Sequence, residues 1–549
     1  MRNNRTKITL LLSALALCVT LAPSHADNTA QHAWVTLIST TDLHGNIYPL
    51  DYYTNKPDAR GLAKAATLIN QIRKENPAAL LVDSGDTIQG TPLEYFHNKR
   101  NNAPPDPMML AMNALRYDAM AVGNHEYNFG LAVLNKARRE AQFPWLSANT
   151  YRTGTNETAY QPYLVKEVGS VRVGVLGLTT PGIPNWENKE NYVGLEFRAP
   201  ISEAKKWVAV LRNKEKVDLV VVAMHMGLEA DLRTGETSPG QVPDENEAIA
   251  IAKAVPGIDV ILMGHTHREV PAVVINGVLL TQANRWASHV ARVDVYLDKS
   301  APNGRWRVVG RQARTLPVDA AAPAAEIMKL AESYDHETQD WLNHVIGESA
   351  AELSAQDARL RDNALLDLIQ RVQLEVGHAD VSMAASFNPA AHVARGPVTV
   401  RDIAALYEYE NTLVVIEVTG QQLKDALEHS AQYFKAYMPG KAAADLVDEK
   451  IPGYNFDIAE GVDYDLDLTK PFGQRIQNLR FRGQPLSMTQ KLKLATNNYR
   501  VNGGGGYTMY RGAPELFRSS EEIRELIIAW VEQHKRIPAE PTNNWRLLP

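Results

Sequence analysis

A chain of 549 residues is too long for one ordinary hydrophobic core, so two or more domains of roughly 150 residues or more are expected. Its composition, 45% hydrophobic and 22% charged with a mean hydropathy of -0.28, excludes a disordered chain, a collagen-like repeat and a polytopic membrane protein. Lysine and arginine number 57 against 63 acidic residues, so the net charge of -6 offers no basic excess for gripping a nucleic-acid polymer.

In chain order, Arg2, Arg5 and Lys7 form a positive start, followed by an apolar stretch from Ile8 to Ala22 and then Pro23-Ser24-His25-Ala26. The apolar stretch is short for a membrane span of about 20 residues, and Ser24 and Ala26 supply the small residues a signal peptidase reads. Residues 1–26 therefore read as a signal peptide, which makes the protein periplasmic or secreted, with no stable membrane insertion after cleavage. A lipoprotein signal fits less well, because Leu17 precedes Cys18 where that signal wants a small residue. Cleavage after Ala26 removes Cys18, the single cysteine, so the mature chain is not built on disulfides.

From Ala33 to about Leu316, apolar runs alternate with helical stretches, the pattern of an α/β layered domain. Five runs stand out: Trp34–Ser39, Ala79–Val82, Ala119–Val122, Val217–Met224 and Ile258–Met263. Short and without alternation, they read as strands buried on both faces. An Ala/Pro-rich segment near 320–325 leads into a predicted linker helix through Trp341. The sequence divides into residues 27–319, a linker over 320–345 and a second unit over 346–549. In that unit a helix is expected near Leu365–Val376, a strand at Leu413–Val418 and an amphipathic helix at Gln421–Phe434. Residues 439–515, rich in Gly, Asp and Tyr, read as loop-heavy.

The chemistry sits where the apolar runs end. They run into Thr41-Asp42-Leu43-His44-Gly45-Asn46, Asp83-Ser84-Gly85-Asp86, Gly123-Asn124-His125-Glu126, His225, and Gly264-His265-Thr266-His267. Ligands of α/β sheets collect outside the carboxyl ends of the strands, so five such ends would bring Asp, His and Asn side chains to one crevice. Carboxylate, imidazole and amide oxygen together suit Zn, Mn, Co or Fe. Seven such side chains are too many for one ion and about right for two divalent metal ions sharing a bridging Asp, the arrangement used for in-line phosphoryl displacement. Taken singly, each piece has a plainer reading as a turn former or an interior histidine; the ordered set of five does not.

That ordered set resembles the calcineurin-like metallophosphoesterases. The longer strings Thr41–Pro49, Asp83–Pro92 and Gly123–Gly130 resemble the two-domain 5′-nucleotidase superfamily. The resemblance implies an N-terminal four-layer αββα catalytic domain and a C-terminal α+β substrate-binding domain. Tyr454-Asn455-Phe456-Asp457, Gly461-Val462-Asp463-Tyr464, Asn497-Asn498-Tyr499-Arg500 and Asn543-Asn544-Trp545-Arg546 are similar to the branch of bifunctional 2′,3′-cyclic-nucleotide 2′-phosphodiesterase/3′-nucleotidases. Where the 5′-nucleotidase branch has Asn-Gly-Gly-x-Arg, this chain reads Phe387-Asn388-Pro389-Ala390-Ala391-His392-Val393-Ala394-Arg395. Where that branch has an Asp three residues after the catalytic His, this chain has Asn128.

Carried over residue by residue, the resemblance implies one ion held by Asp42, His44, Asp86 and His267 and a second by Asp86, Asn124, His225 and His265. It implies that His125, with Asn128 behind it, stabilises the reacting phosphoryl group. Asn388 and Arg395 match substrate-binding positions, and Tyr409 and Tyr507 match an aromatic clamp for the base, with Tyr499 competing for the second place. The implied substrates are small-molecule nucleotides, namely 2′,3′-cyclic nucleotides opened to 3′-nucleotides and then dephosphorylated. A 5′-nucleotidase or nucleotide-sugar hydrolase on the same scaffold is the alternative, and a surface protein that binds nucleotides without turnover is a third reading.

Overall fold

The computed structural model describes residues 31–237, 242–301 and 304–548; residues 1–26, read from the sequence as a signal peptide, lie outside the described residues. The two main sheets of the N-terminal part are built from β1 (Gln31–Thr40), β2 (Leu80–Asp83), β3 (Ala119–Ala121), β4 (Trp145–Leu146), β5 (Tyr163–Val168), β6 (Val171–Thr179), β7 (Leu219–His225), β8 (Val260–Met263), β9 (Glu269–Ile275), β10 (Val278–Ala283), β11 (His289–Lys299) and β12 (Arg307–Pro317). Each sheet has six strands, ordered β12-β11-β1-β2-β3-β4 and β9-β10-β8-β7-β6-β5. In the first sheet β1 to β4 run parallel to one another, and in the second β6, β7, β8 and β10 do so. All five apolar runs singled out in the sequence are strands of these parallel sets.

Their lack of alternation has a direct cause. Leu219, Val221 and Ala223 of β7 fill the core between the sheets, where they meet Leu37, Val82 and Ala121. Val220, Val222 and Met224 of the same strand point the other way, against Leu211 of the helix Pro200–Asn213 and Ile251 of the helix Ala248–Ala254. A strand side chain changes face at every residue, so a strand covered on both sides must be apolar throughout. On the outer face of the first sheet, Ile38 and Leu81 pack in the core that includes Leu62 and Ile69 of the helix Leu62–Glu75. Helix, sheet, sheet and helix thus make the four expected layers.

Two helices, Ala325–Leu330 and Glu332–Leu342, follow where a single linker helix was expected; the chain breaks helical geometry at Ala331. The C-terminal part is a five-stranded sheet in which Val381–Ala385, Lys491–Asn497 and Thr412–Thr419 are the central strands, flanked by Asp457–Glu460 and Glu515–Glu522. Helices Ala364–Gly377 and Gly420–Ser430 match the sequence expectation; the second begins with a capping box between Thr419 and Gln422. The loop-heavy reading of 439–515 needs correction. That segment contains Asp457–Glu460, Val462–Asp467, Ile476–Phe481 and Lys491–Asn497, and Gly461, Gly473 and Gly483 take positive φ between them. Glycines marked the turns, and the strands were too short to announce themselves. Among the described residues, no helix is long and apolar enough to cross a membrane.

Candidate metal and phosphoryl site

Five parallel-strand ends of the two sheets meet at one edge and deliver the expected side chains. Asp42, His44 and His267 place a ligand atom each within 4.8 Å of one another, and so do Asp86, His225 and His265. Asp86 reaches both groups, with Oδ2 2.9 Å from His225 Nε2 and 3.9 Å from His44 Nε2. Asn124 joins the second group, its Oδ1 3.0 Å from His225 Nε2.

The backbone is bent to achieve this. Asp42, His44, Asp86, His265 and His267 all have φ between 47° and 71°, the left-handed region that side-chain-bearing residues rarely adopt. Backbone hydrogen bonds hold the bends: Asp42 N–H donates to Gly85 O and His44 N–H to Asp86 O, both at 2.9 Å. Such strain is retained where surrounding structure over-determines it, characteristically at functional sites. Beneath the site lies Glu126, fully buried, accepting from the backbone N–H groups of Gly123, Asp86 and Thr87 at 2.7, 3.0 and 2.6 Å. Gly123 must be glycine, because a Cβ there would stand 2.2 Å from Asp86 Oδ1.

The second ring nitrogens are occupied as metal-binding histidines require. Nδ1 of His44 donates to Gln89 O (3.0 Å), and Nδ1 of His225 donates to Ser84 O (2.7 Å). His265 Nε2 donates to Glu245 Oε1 at 3.0 Å. His267 Nδ1 faces Arg285 Nη1 at 3.2 Å, an arrangement that leaves its Nε2 toward His44 Nε2, 3.0 Å away.

The donor set asks for positive charge. Asp86 Oδ2 is buried, with His225 Nε2 2.9 Å away and His44 Nε2 at 3.9 Å. Burial pushes His225 down, but Asp86, Asp42 and Glu126 outweigh it and hold that imidazole up at about 10. Burial also opposes the Asp86 charge, yet His225, His125 and His44 hold its carboxyl well below the usual range. His44, buried beside His267, is pushed down to about 3 and stays neutral, as a ligand must. Two buried groups of carboxylate and imidazole donors, with one carboxylate oxygen facing imidazoles of both, fit divalent ions.

His125 sits at the end of β3 with its backbone N–H donating to Asp86 Oδ1 (2.8 Å) and its ring edge-on to His44 at 5.2 Å. Its Nδ1 donates to Asn128 Oδ1 at 2.6 Å, so the Asn128 pairing expected from the sequence is formed. Burial pushes the ring down and Asp86, with Asn128, raises it more strongly, leaving it above the ordinary histidine value.

On the C-terminal side, Tyr409 is 37% exposed and packs edge-on against Phe387 at 5.1 Å and Tyr454 at 6.5 Å. Glu410, its neighbour, accepts from the Gln89 amide, and Gln89 in turn holds His44. The aromatic wall and the phosphoryl site are therefore joined by a three-residue chain. Tyr507 is not brought to this wall. It is fully buried, stacked on Tyr510 at 5.9 Å, under Arg500 at 4.4 Å, and its hydroxyl donates to Asn455 O at 2.9 Å. The glycine run serves Tyr499 instead, since a Cβ on Gly504 would stand 2.6 Å from three Tyr499 ring atoms. Asn388 spends its amide on structure, accepting from Ala390 N–H in its own turn (2.9 Å) and donating to Ala405 O at the end of the helix Val400–Ala404 (3.1 Å). Arg395 is exposed just before the strand Gly396–Thr399.

Sequence reasoning missed Glu245, Gln89, Arg285, Tyr454 and Glu187. Gln89 and Tyr454 stood inside quoted strings without an assigned task, as did Glu126, and Glu245, Arg285 and Glu187 lie outside every quoted motif.

The calcineurin-like phosphoesterase family matches residues 35–269, and the 5′-nucleotidase C-terminal domain matches residues 345–512. A 2′,3′-cyclic-nucleotide 2′-phosphodiesterase/3′-nucleotidase of Yersinia enterocolitica is 31% identical over 98% of this chain and 91% of its own length. This chain belongs to the calcineurin-like phosphoesterases of the two-domain 5′-nucleotidase type. The like-named Salmonella typhimurium protein is 32% identical over 93% of this phosphoesterase and 88% of its own length. The trifunctional nucleotide phosphoesterase YfkN of Bacillus subtilis is 27% identical, and this phosphoesterase spans 40% of its length. Among solved structures, a Staphylococcus aureus protein assigned as a 5′-nucleotidase superposes with a TM-score of 0.83 at 28% identity, covering 94% of this phosphoesterase and 100% of that chain.

Proposed function

We propose that this protein is an exported dimetal phosphoesterase that opens 2′,3′-cyclic nucleotides to 3′-nucleotides and dephosphorylates 3′-nucleotides to nucleoside and phosphate. The observation that carries the reading is Asp86, whose one side chain reaches the imidazoles of both clusters. Asp42, His44, Asp86 and His267 would hold one ion, and Asp86, Asn124, His225 and His265 the other. Ions of the Zn, Mn or Co type, when bound there, would supply Lewis acidity for phosphoryl transfer to water. His125 hydrogen-bonds the phosphoryl group where negative charge builds. Residues 27–319 carry this chemistry, and residues 346–549 bring the base to it through Tyr409, with Tyr454 and Tyr499 as the remaining aromatic candidates. The missing Asn-Gly-Gly-x-Arg string and the 31–32% identical relatives named for cyclic and 3′ activity favour this substrate class over 5′-nucleotides. Export rests on the signal-like residues 1–26.

Product analysis with 2′,3′-cyclic AMP, 3′-AMP and 5′-AMP side by side tests the reading. Turnover of the first two through 3′-AMP to adenosine is expected. A preference for 5′-AMP would replace it with the 5′-nucleotidase alternative, and no turnover of any of them with Mn²⁺ or Zn²⁺ added would leave a binding protein.

A further inference from the structure

His125 rests on a neutral amide, and the amide rests on a carboxylate. Asn128 Nδ2 donates to Glu187 Oε1 at 2.6 Å, while Asn191 Nδ2 donates to Glu187 Oε2 at 2.6 Å and to Asn128 O at 3.2 Å. We propose that Glu187 is a positioning residue for the reaction, fixing through Asn128 which ring nitrogen of His125 faces the phosphoryl group. An Asn amide by itself is ambiguous, because its oxygen accepts and its nitrogen donates and a half-turn exchanges them. Glu187 removes the ambiguity: its oxygens accept from Asn191 and from Asn128, so the Asn128 nitrogen must turn to Glu187 and its oxygen to His125. Nδ1 of His125 then carries the hydrogen, and Nε2 is left for the substrate. A carboxylate one residue further back thus orients the ring that Asn128 cannot orient alone.

The geometry of the loop supports a dedicated role. Glu187 is 8% exposed and belongs to the connection between the short helical turns Ile183–Asn185 and Lys189–Tyr192. Its neighbours are held from the C-terminal part: Asn498 Nδ2 donates to Trp186 O (3.2 Å), and Arg518 Nη1 donates to Asn188 Oδ1 (2.6 Å). The relay is therefore completed where the two units meet.

The inference rests on the phosphoesterase reading and not on the choice of nucleotide, so bis(p-nitrophenyl) phosphate serves as substrate. Glu187→Gln in the metal-loaded full-length protein should lower kcat by about 10- to 100-fold, the range for partners one shell removed, with KM and melting temperature nearly unchanged. Asn128→Asp in the Glu187→Gln background should recover most of that loss, since the new carboxylate accepts from His125 directly and the amide introduced at position 187 donates to it. As a check independent of the fold of either variant, Glu187→Gln should add nothing to Asn128→Ala, because the relay is already cut. A Glu187→Gln enzyme with wild-type kcat, a failed charge exchange, or additive losses would each overturn the proposal. Loss of nucleotide turnover in the wild type alongside normal diester hydrolysis would instead sink the nucleotide reading and leave this one standing.

Discussion

Asp86 touches more of the site than any other side chain: one oxygen accepts the His125 backbone N–H, and the other lies between His225 and His44. Removing it should cost both ions, whereas His267 serves one and stands at the exposed side, with 30% of its side chain accessible. Asp86→Ala should lose more activity than His267→Ala, and excess metal should partly restore only the latter. The same difference should appear without substrate. A ligand at about 100 times its Kd stabilises by about 2.7 kcal/mol, so Mn²⁺ should raise the melting temperature of the wild type and leave that of Asp86→Ala almost unmoved. Near wild-type rates in Asp86→Ala would show that the shared ligand lies elsewhere. The tyrosines separate in the same way. Stacking is worth roughly 1–3 kcal/mol per base, so Tyr409→Ala should lower kcat/KM for nucleotides by about 5- to 150-fold and spare bis(p-nitrophenyl) phosphate. Tyr507→Ala should behave as a core truncation of about 3–5 kcal/mol, read as lower denaturant stability with no preference between the two substrates. A nucleotide-selective loss in Tyr507→Ala would return it to the clamp.

At the scale of elements, strands buried on both faces end in left-handed residues, and several helices are started by side-chain caps. The helix Pro107–Ala114 begins with Asp106, whose Oδ1 accepts from Met109 N–H at 2.9 Å while Oδ2 is buried without a partner. Burial outweighs that hydrogen bond, and with Glu140 nearby the carboxyl is pushed up to about 7. An unfolded Asp titrates near 4, by the ordinary value of about 3.9. The folded chain therefore holds a proton on Asp106 that the unfolded chain releases. This contribution to stability is fully present below about pH 4 and is lost as pH rises through about 7. Asp106→Asn keeps the capping oxygen and removes the charge, so its melting temperature should gain on the wild type between about pH 4 and 7. A constant difference across that window would mean that Asp106 is ionised in the folded protein.

Across the whole molecule, buried apolar packing runs from one unit into the other, and charged pairs join them beside it. Arg524 is 2% exposed, lies over the Tyr95 ring at 4.0 Å, and pairs with Glu410 at 3.3 Å and Glu522 at 3.4 Å. Lys99 meets Glu522 at 3.0 Å, and Tyr95 and Arg100 meet Glu525. Deleting one partner of a buried ion pair typically costs about 3–5 kcal/mol, because the other charge is left unpaired. Arg524→Ala should lower the unfolding free energy by that order in denaturant titrations, and an unchanged midpoint would show that water reaches Glu410 and Glu522.

Residue order alone determined the doubly buried strands and the Asp, His and Asn residues at their ends, while the four layers and the division of those residues into two clusters were implied by the family resemblance. A parallel strand buried on both faces must be continuously apolar, and its carboxyl end is where ligands gather, so both facts are written locally in runs such as Val217–Met224 followed by His225. The short strands between 457 and 497 were hidden, because four to seven residues among glycines carry too little periodicity to separate from loops. Tyr409 and Tyr507 could not be told apart either, since a tyrosine in a loop-like stretch looks the same whether it faces solvent or Arg500. Only the tertiary structure decided that Tyr507 belongs to the core, that Gln89 ties His44 to the Glu410 beside Tyr409, and that Glu187 stands behind Asn128. Those contacts join residues from 45 to 321 positions apart in the chain, and no local pattern encodes a partner at that range.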